Sequence, residues 1–350
     1  MRRLSLLAIC LAGSLFGGNL ARAANDSTFQ VGDWTGRAHW NQKEKQLDRC
    51  SAQLTNPDKI TVIYSLDRHY MWTLELSNPS WNFPKGAAFE VAFGTGDRNY
   101  FRQRVTALDA KLVRVQLPDT VSAFEAFRRM IRLELVAGGL TSSFDMAYAN
   151  QVLTALTRCV TRFGATPKSR AAISAWLKSP IGPASGPSGD PDVQKEAAAL
   201  ATSVVSEAQL AGAASMKRAE VPAGVDGDTV WKIAENLFTI SILPKDEAPE
   251  IADLSDLIVG GDAQKCRGDF FSGATLDVIE TVGVARAYTN CQTEQASVAS
   301  YYFILPRRQG GLYLVTTTTS GVEITPTAEK NAREIDGRIR ATIMAAISKM

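Results

Sequence analysis

The sequence predicts an α+β protein: a mostly antiparallel β domain with covering helices, a flexible linker, and a smaller α+β sandwich. Three observations lead there. Apolar residues recur with period two through residues 34–117, broken by short polar turns. Runs at helical spacing follow at 121–131 and 152–163. A stretch of Pro, Gly and Ser at 179–191, with Ile181 its one large apolar residue, then separates a second mixture of helix and strand patterns. The resulting division is a signal peptide at 1–23, a β-rich domain at 24–164, a linker at 165–192 and an α+β domain at 193–350.

The elements of the first domain follow from these periods. Strands are expected at 34–40, after the Gly32-Asp33 turn, and at 50–54. Val62, Tyr64 and Leu66 alternate with Ile63 and Ser65, and Trp72, Leu74 and Leu76 with Thr73 and Glu75. With Asp67-Arg68-His69-Tyr70 between them, these runs make a hairpin that ends at Asn78-Pro79, where proline cannot donate to a ladder. Phe89-Val91-Phe93, Gln103-Val105-Ala107 and Val113-Val115-Leu117 alternate in the same way. Ser122 and Glu125 have capping-box spacing ahead of a Val121, Phe124, Phe127, Ile131 stripe. Strands at 133–136 and near 144–148 precede a helix with Val152, Leu156, Cys159 and Phe163 on one face.

In the second domain, Asp190-Pro191 is a helix start, and Val193, Ala197, Leu200, Val204 and Ala208 form its stripe. Strands at 230–233 and 238–242 flank Glu235-Asn236. Pro249 opens a short helix with Ile251, Leu254 and Ile258 on one side. Strands follow from Cys266 with Phe270-Phe271, at 285–291, at 301–305 and at 312–318, the last two joined by a turn at 307–311. A final helix from Thr325-Pro326 carries Ala332, Ile335, Ile339, Ile343 and Ile347, with Arg333, Arg338 and Arg340 facing away.

The chain of 350 residues has 38 basic and 36 acidic side chains. Residues 1–23 contain three arginines and no acid, so their removal leaves a near-neutral chain with no charge to steer it toward nucleic acid. They read as an export signal. Arg2-Arg3 comes first, an apolar core at 4–16 is too short to span a bilayer, and Ala21-Arg22-Ala23 is the cleavage site. No integral membrane segment is expected afterwards, and the compartment is periplasmic or extracellular. Cys10 lies in the signal core and is discarded with it.

Cys50, Cys159, Cys266 and Cys291 remain, two on each side of the linker. An even count in an exported chain implies disulfides, and the linker selects Cys50–Cys159 and Cys266–Cys291 from the three possible pairings. The chain-entropy model gives the first roughly 4–5 kcal/mol and the second roughly 3 kcal/mol. Buried free thiols are the alternative reading. A zinc site lacks a closely spaced cysteine pair.

The Gly32-Asp33-Trp34 opening, the early Cys50, the strand series and the closing Phe144, Leu153, Leu156 helix resemble the invasion-associated locus B proteins of the alphaproteobacterial periplasm. The resemblance covers about residues 30–163 and implies a cell-envelope or host-cell role, with no catalytic residues. The chain departs from that family in having fewer closely placed cysteines and an added second domain. The second domain is loosely similar to the PsbP/Mog1 type in element order.

Catalytic patterns are sparse. His39 and His69 are the sole histidines, and no Gly-x-Ser-x-Gly elbow, His-Glu-x-x-His helix or Walker loop accompanies them. Gly94-Thr95-Gly96 reads as a β-turn, and Asp253 and Asp256 as a solvated helix face. Arg128-Arg129 and Arg307-Arg308 offer cations to an anionic partner, with solubility as the ordinary alternative. Trp34, Trp40, Trp72 and Trp81 offer an aromatic face for sugar or peptide, with core packing as the alternative for Trp34 and Trp72, which fall on inward strand positions; Trp81 lies in an irregular stretch. Trp176, on a short amphipathic segment at 170–178, either contacts a partner or docks on its own domain. Trp81, Trp176, Arg307 and Arg308 are therefore the expected partner contacts. No catalytic residue, metal ligand or cofactor site is assigned. The expected function is binding of an envelope or host protein; a hydrolase with a non-standard site and a small-ligand carrier are the alternatives.

Overall fold

The computed structural model describes residues 27–94, 100–115, 128, 130–137, 140–164, 171, 188–222, 225–279, 281–322 and 326–348. It has mostly antiparallel β-structure in two sheets with helices against them, the α+β class the periodicities predict. The helix expected at 121–131 falls largely outside the described residues, as do the Gly94-Thr95-Gly96 turn beyond Gly94 and the 170–178 segment apart from Ala171.

The first sheet contains β1 (Thr28–Val31), β2 (Trp34–Asn41), β3 (Gln46–Thr55), β4 (Thr61–Asp67), β5 (Trp72–Ser77), β6 (Ala88–Gly94), β7 (Tyr100–Ala107), β8 (Leu112–Val115), β9 (Arg132–Ala137) and β10 (Leu140–Asp145). Their spatial order is β1-β2-β3-β4-β5-β8-β7-β6-β9-β10. Helix α1 (Ala149–Phe163) lies across β2, β3 and β4. It does so because Val152, Leu156 and Cys159 recur at helical spacing and are buried. The facing sheet residues Trp34, Cys50, Val62, Tyr64, Leu66 and Leu74 alternate along their strands and are buried in turn. Trp34 stacks on Tyr64, with ring centroids 5.3 Å apart. Cys50 of β3 is bonded to Cys159 of α1, with their Cα atoms 6.2 Å apart.

The second half begins at α2 (Pro191–Glu207), capped by Asp190, whose carboxylate accepts from the Asp192 amide at 2.8 Å. Then come β11 (Ala214–Ser215), β12 (Thr229–Ile233), β13 (Asn236–Leu243), α3 (Ile251–Lys265), β14 (Asp269–Ile279), β15 (Val282–Gln292), β16 (Ser297–Pro306), β17 (Leu312–Gly321) and α4 (Pro326–Ser348). The sheet order is β11-β12-β13-β17-β16-β15-β14. Helices α2 and α4 cover one face, around Phe238, Ile240, Phe303 and Val315. Helix α3 covers the other, around Ala285 and Ile304. Helix α3 is longer than the short helix expected after Pro249, running 15 residues to the cysteine that pins it. Cys266, at its end, is bonded to Cys291 of β15.

The turn between β16 and β17 needs glycine. Gly311 has φ +88°, and a Cβ there would meet the Leu243 carbonyl at 2.1 Å. Arg307, at the start of this turn, points back into the fold. Its guanidinium makes a fork of hydrogen bonds to the Glu196 carboxylate of α2, which also accepts from the Tyr313 hydroxyl at 2.6 Å. Arg307 is thus an internal brace, its side chain 13% exposed. Arg308 is exposed. Arg338, though off the apolar stripe of α4, caps the carbonyls of Ala208 and Gln209, and Arg340 pairs with Asp336 at 2.9 Å. The C-terminal end of α2 is satisfied in this way.

The brace has a pH signature. Arg307 holds the Glu196 carboxyl below its ordinary pKa, with a further hydrogen bond from Tyr313 and burial opposing. A depressed carboxylate contributes stability above its unfolded pKa and loses it as pH falls through the folded value. Glu196→Gln should therefore lower the denaturation midpoint at neutral pH. The deficit relative to the parent should shrink as pH falls below about 4, which acid titration of the urea midpoint will measure.

Candidate functional site

The candidate site is built on the β4–β5 turn, which reaches from the first sheet to the second. Asp67 organises it: one carboxylate oxygen accepts from the amides of His69 at 2.8 Å and Met71 at 2.9 Å. Tyr70 is driven to φ +60°, a left-handed conformation that a bulky residue adopts only when its surroundings compensate. The compensation lies in the second half. The Tyr70 carbonyl accepts from the Ala274 amide at 2.9 Å, and Met71 makes a parallel bridge with Ala274 of β14.

Trp72, the next residue, donates its indole N–H to the Ser272 carbonyl at 2.6 Å, in buried surroundings. A bare backbone at Gly273 lets the ring approach, since a Cβ there would lie 3.1 Å from Trp72 Cδ1. Arg128 stacks over Phe271, 5.1 Å from the ring centroid. Arg158 of α1 pairs with Asp269 at 2.7 Å. A single apolar cluster continues through the seam, from Trp72 and Leu156 to Phe270, Phe271, Ala274, Tyr288 and Tyr301. The two disulfide-closed halves therefore share a core.

His69 belongs to this seam and is not an ordinary surface residue. Its Nδ1 lies 2.7 Å from Asp256 Oδ2 of α3, and Arg68 Nε donates to its Nε2 at 3.0 Å. These partners place the proton of the neutral ring on Nδ1. Asp256, expected on a solvated face, is thereby bound across the halves. The hydrogen bond to Asp256 raises the His69 pKa against the opposing effect of burial, and the charges of Asp256 and Asp67 add to it while Arg68 subtracts. A raised imidazole contributes stability below its unfolded pKa of about 6.5 and loses it as pH rises through the folded value. With two histidines in the chain, NMR can follow each ring separately. Asp256→Asn should return the His69 titration toward its ordinary value and leave His39 unmoved.

His39 has different company. Its Nε2 lies 2.7 Å from Ser51 Oγ, and Arg37 and Arg49 flank it. Burial first, then these two cations, lower its pKa, while Asp48 opposes them. The serine and the acid that a hydrolase needs on one imidazole are thus divided between two. His39 holds a serine; His69 holds an acid, and its other nitrogen is taken by arginine. Asp262 is likewise committed within the fold, accepting from Thr289 at 2.7 Å and Tyr302 at 2.6 Å.

Trp34 and Trp72 are buried, as their strand phase requires. Trp81 is half-buried in the loop after β5, and its ring lies 5.3 Å from Phe83, which lies 4.8 Å from Phe89. Asn78 fixes this loop by accepting from the Ser80 amide at 2.8 Å and donating to the Asp58 carbonyl at 3.1 Å. Trp40, the fourth tryptophan of the candidate aromatic face, is 42% exposed and packs edge-on to Phe163 at 5.8 Å. It keeps the strand phase of Trp34 and is paired with the buried Leu47, on the face that α1 covers; the extra residue of the irregularity here, Asp48, belongs to β3. Trp176 lies outside the described residues.

Among the described residues, no group of three or more His, Cys, Asp and Glu side chains is placed to hold a metal ion. No helix there is long and apolar enough to cross a membrane. Comparison with protein-family models, with curated proteins and with solved structures returns no match to this chain.

Proposed function

We propose that this chain is an exported binding protein that works in the periplasm or outside the cell, where it holds a protein of the envelope or of a host. The single observation that carries this reading is the pair of disulfides, one in each half. Such bonds persist in oxidising compartments. The signal pattern at 1–23 and the resemblance of residues 30–163 to invasion-associated locus B proteins support the same placement. The loop carrying Trp81 is the proposed contact, since a partly exposed aromatic residue on a pinned loop costs little entropy to bind. Arg308 is the proposed cation at the rim.

Native pull-down from envelope extract tests the reading. The parent should capture one protein reproducibly, and Trp81→Ala should weaken the capture. Failure of the folded parent to retain any partner, in bacterial or host extract, would contradict it.

A further inference from the structure

The outward face of β2–β3–β4 carries an arrangement that the seam does not use. The register places Arg37, Ser51 and Ser65 in one cross-strand rung and His39, Arg49 and Asp67 in the next. Directly paired residues project from the same side of a sheet. The six side chains therefore share a patch about 10 Å across the strands and about 7 Å along them. The contact between His39 and Ser51 at 2.7 Å agrees with that placement.

The charges and donors of this patch are poorly matched within the protein. The Arg37 side chain is exposed, with no hydrogen bond or ion pair among the described residues. Arg49 Nε is buried with no partner there. Ser65 is 2% exposed, and its hydroxyl also lacks a partner. Asp67 is the one carboxylate in the two rungs, and the oxygen that accepts from His69 and Met71 is held by its own turn. A buried donor without an acceptor is costly, so two such groups beside an unpaired guanidinium call for an acceptor from outside.

We infer that this patch binds a tetrahedral oxyanion, the phosphate or sulfate group of an ester. Two guanidiniums supply forked donors and charge, Ser51 and Ser65 supply hydroxyl donors, and His39 stands at the edge of the anion. This goes beyond the proposed function: the patch lies apart from the Trp81 loop, and its test does not depend on capturing a protein.

Only two rings titrate in the histidine NMR spectrum, so the site has its own reporter. In chloride His39 should titrate below its ordinary value, because burial first, then Arg49 and Arg37, oppose its protonation more than Asp48 favours it. Sodium sulfate or phosphate at matched ionic strength should raise it by roughly one unit, since an opposite charge now lies beside the ring. His69 should not follow. Arg37→Gln and Arg49→Gln should each abolish the anion-dependent shift; Arg37 is exposed, so its variant keeps the test valid should Arg49→Gln misfold. Cosedimentation with phosphatidylglycerol vesicles that Arg37→Gln removes would place the phosphate on a lipid. A shift with the inorganic ions and no sedimentation would place it on a soluble ligand, and either result supports the site. Equal His39 titration in chloride, sulfate and phosphate, with no vesicle binding, would overturn it.

Discussion

Replacing Cys50 and Cys159 by alanine should cost roughly 4–5 kcal/mol. That is a large part of the 5–15 kcal/mol that holds a typical domain folded. The bond spans 109 residues, so its removal frees the unfolded chain of a long closed loop. It also frees α1 from β3, and α1 carries Leu153, Leu156 and Val160 into the first core. Urea unfolding, followed by fluorescence of the buried Trp34 and Trp72, will read the loss. The variant lacking Cys266–Cys291, which spans 25 residues, should lose less, roughly 3 kcal/mol. The reverse ranking would mean that native-state strain, and not loop closure, sets the values.

Trp72→Ala should cost about 3–5 kcal/mol, the range for removing a large buried ring. Its signature distinguishes it from other core mutations. Trp72 is 8% exposed, fills the seam against Gly273 and donates to the Ser272 carbonyl. Its loss opens a void between the halves while leaving both disulfides and the two sheets' own ladders in place. Calorimetry should therefore show one transition for the parent and two for the variant. Trp72→Phe should keep most of the packing and lose the hydrogen bond, for about 1 kcal/mol with a single transition retained. A single cooperative transition in Trp72→Ala would mean that Arg128–Phe271, Arg158–Asp269 and the Met71–Ala274 bridge couple the halves without it.

Much of the fold was legible because local periodicity and capping agree with tertiary burial. Val62, Tyr64 and Leu66 alternate in the sequence and are buried in the sheet; Asp190-Pro191 reads as a helix start and caps α2. What escaped depends on contacts distant in the chain. Nothing in the spacing of Asp67-Arg68-His69-Tyr70 says that the turn will lie against β14, 200 residues away at Trp72–Ser272. His69 and Asp256 are 187 residues apart and carry no shared motif. Arg307 looks like a solvated turn residue until the fold places Glu196 beside it. The outward patch had a faint signal: Arg37, His39, Arg49 and Ser51 occupy the polar phase of two adjacent strands, but only the register shows that they meet.

Peptide mass mapping of unreduced protein recovered from the cell envelope gives the most direct test. The predicted result is a chain beginning at Ala24, with Cys50 cross-linked to Cys159 and Cys266 to Cys291. A bond from Cys50 to Cys266 or Cys291, or four free thiols in that material, would contradict two separately stapled halves in an oxidising compartment.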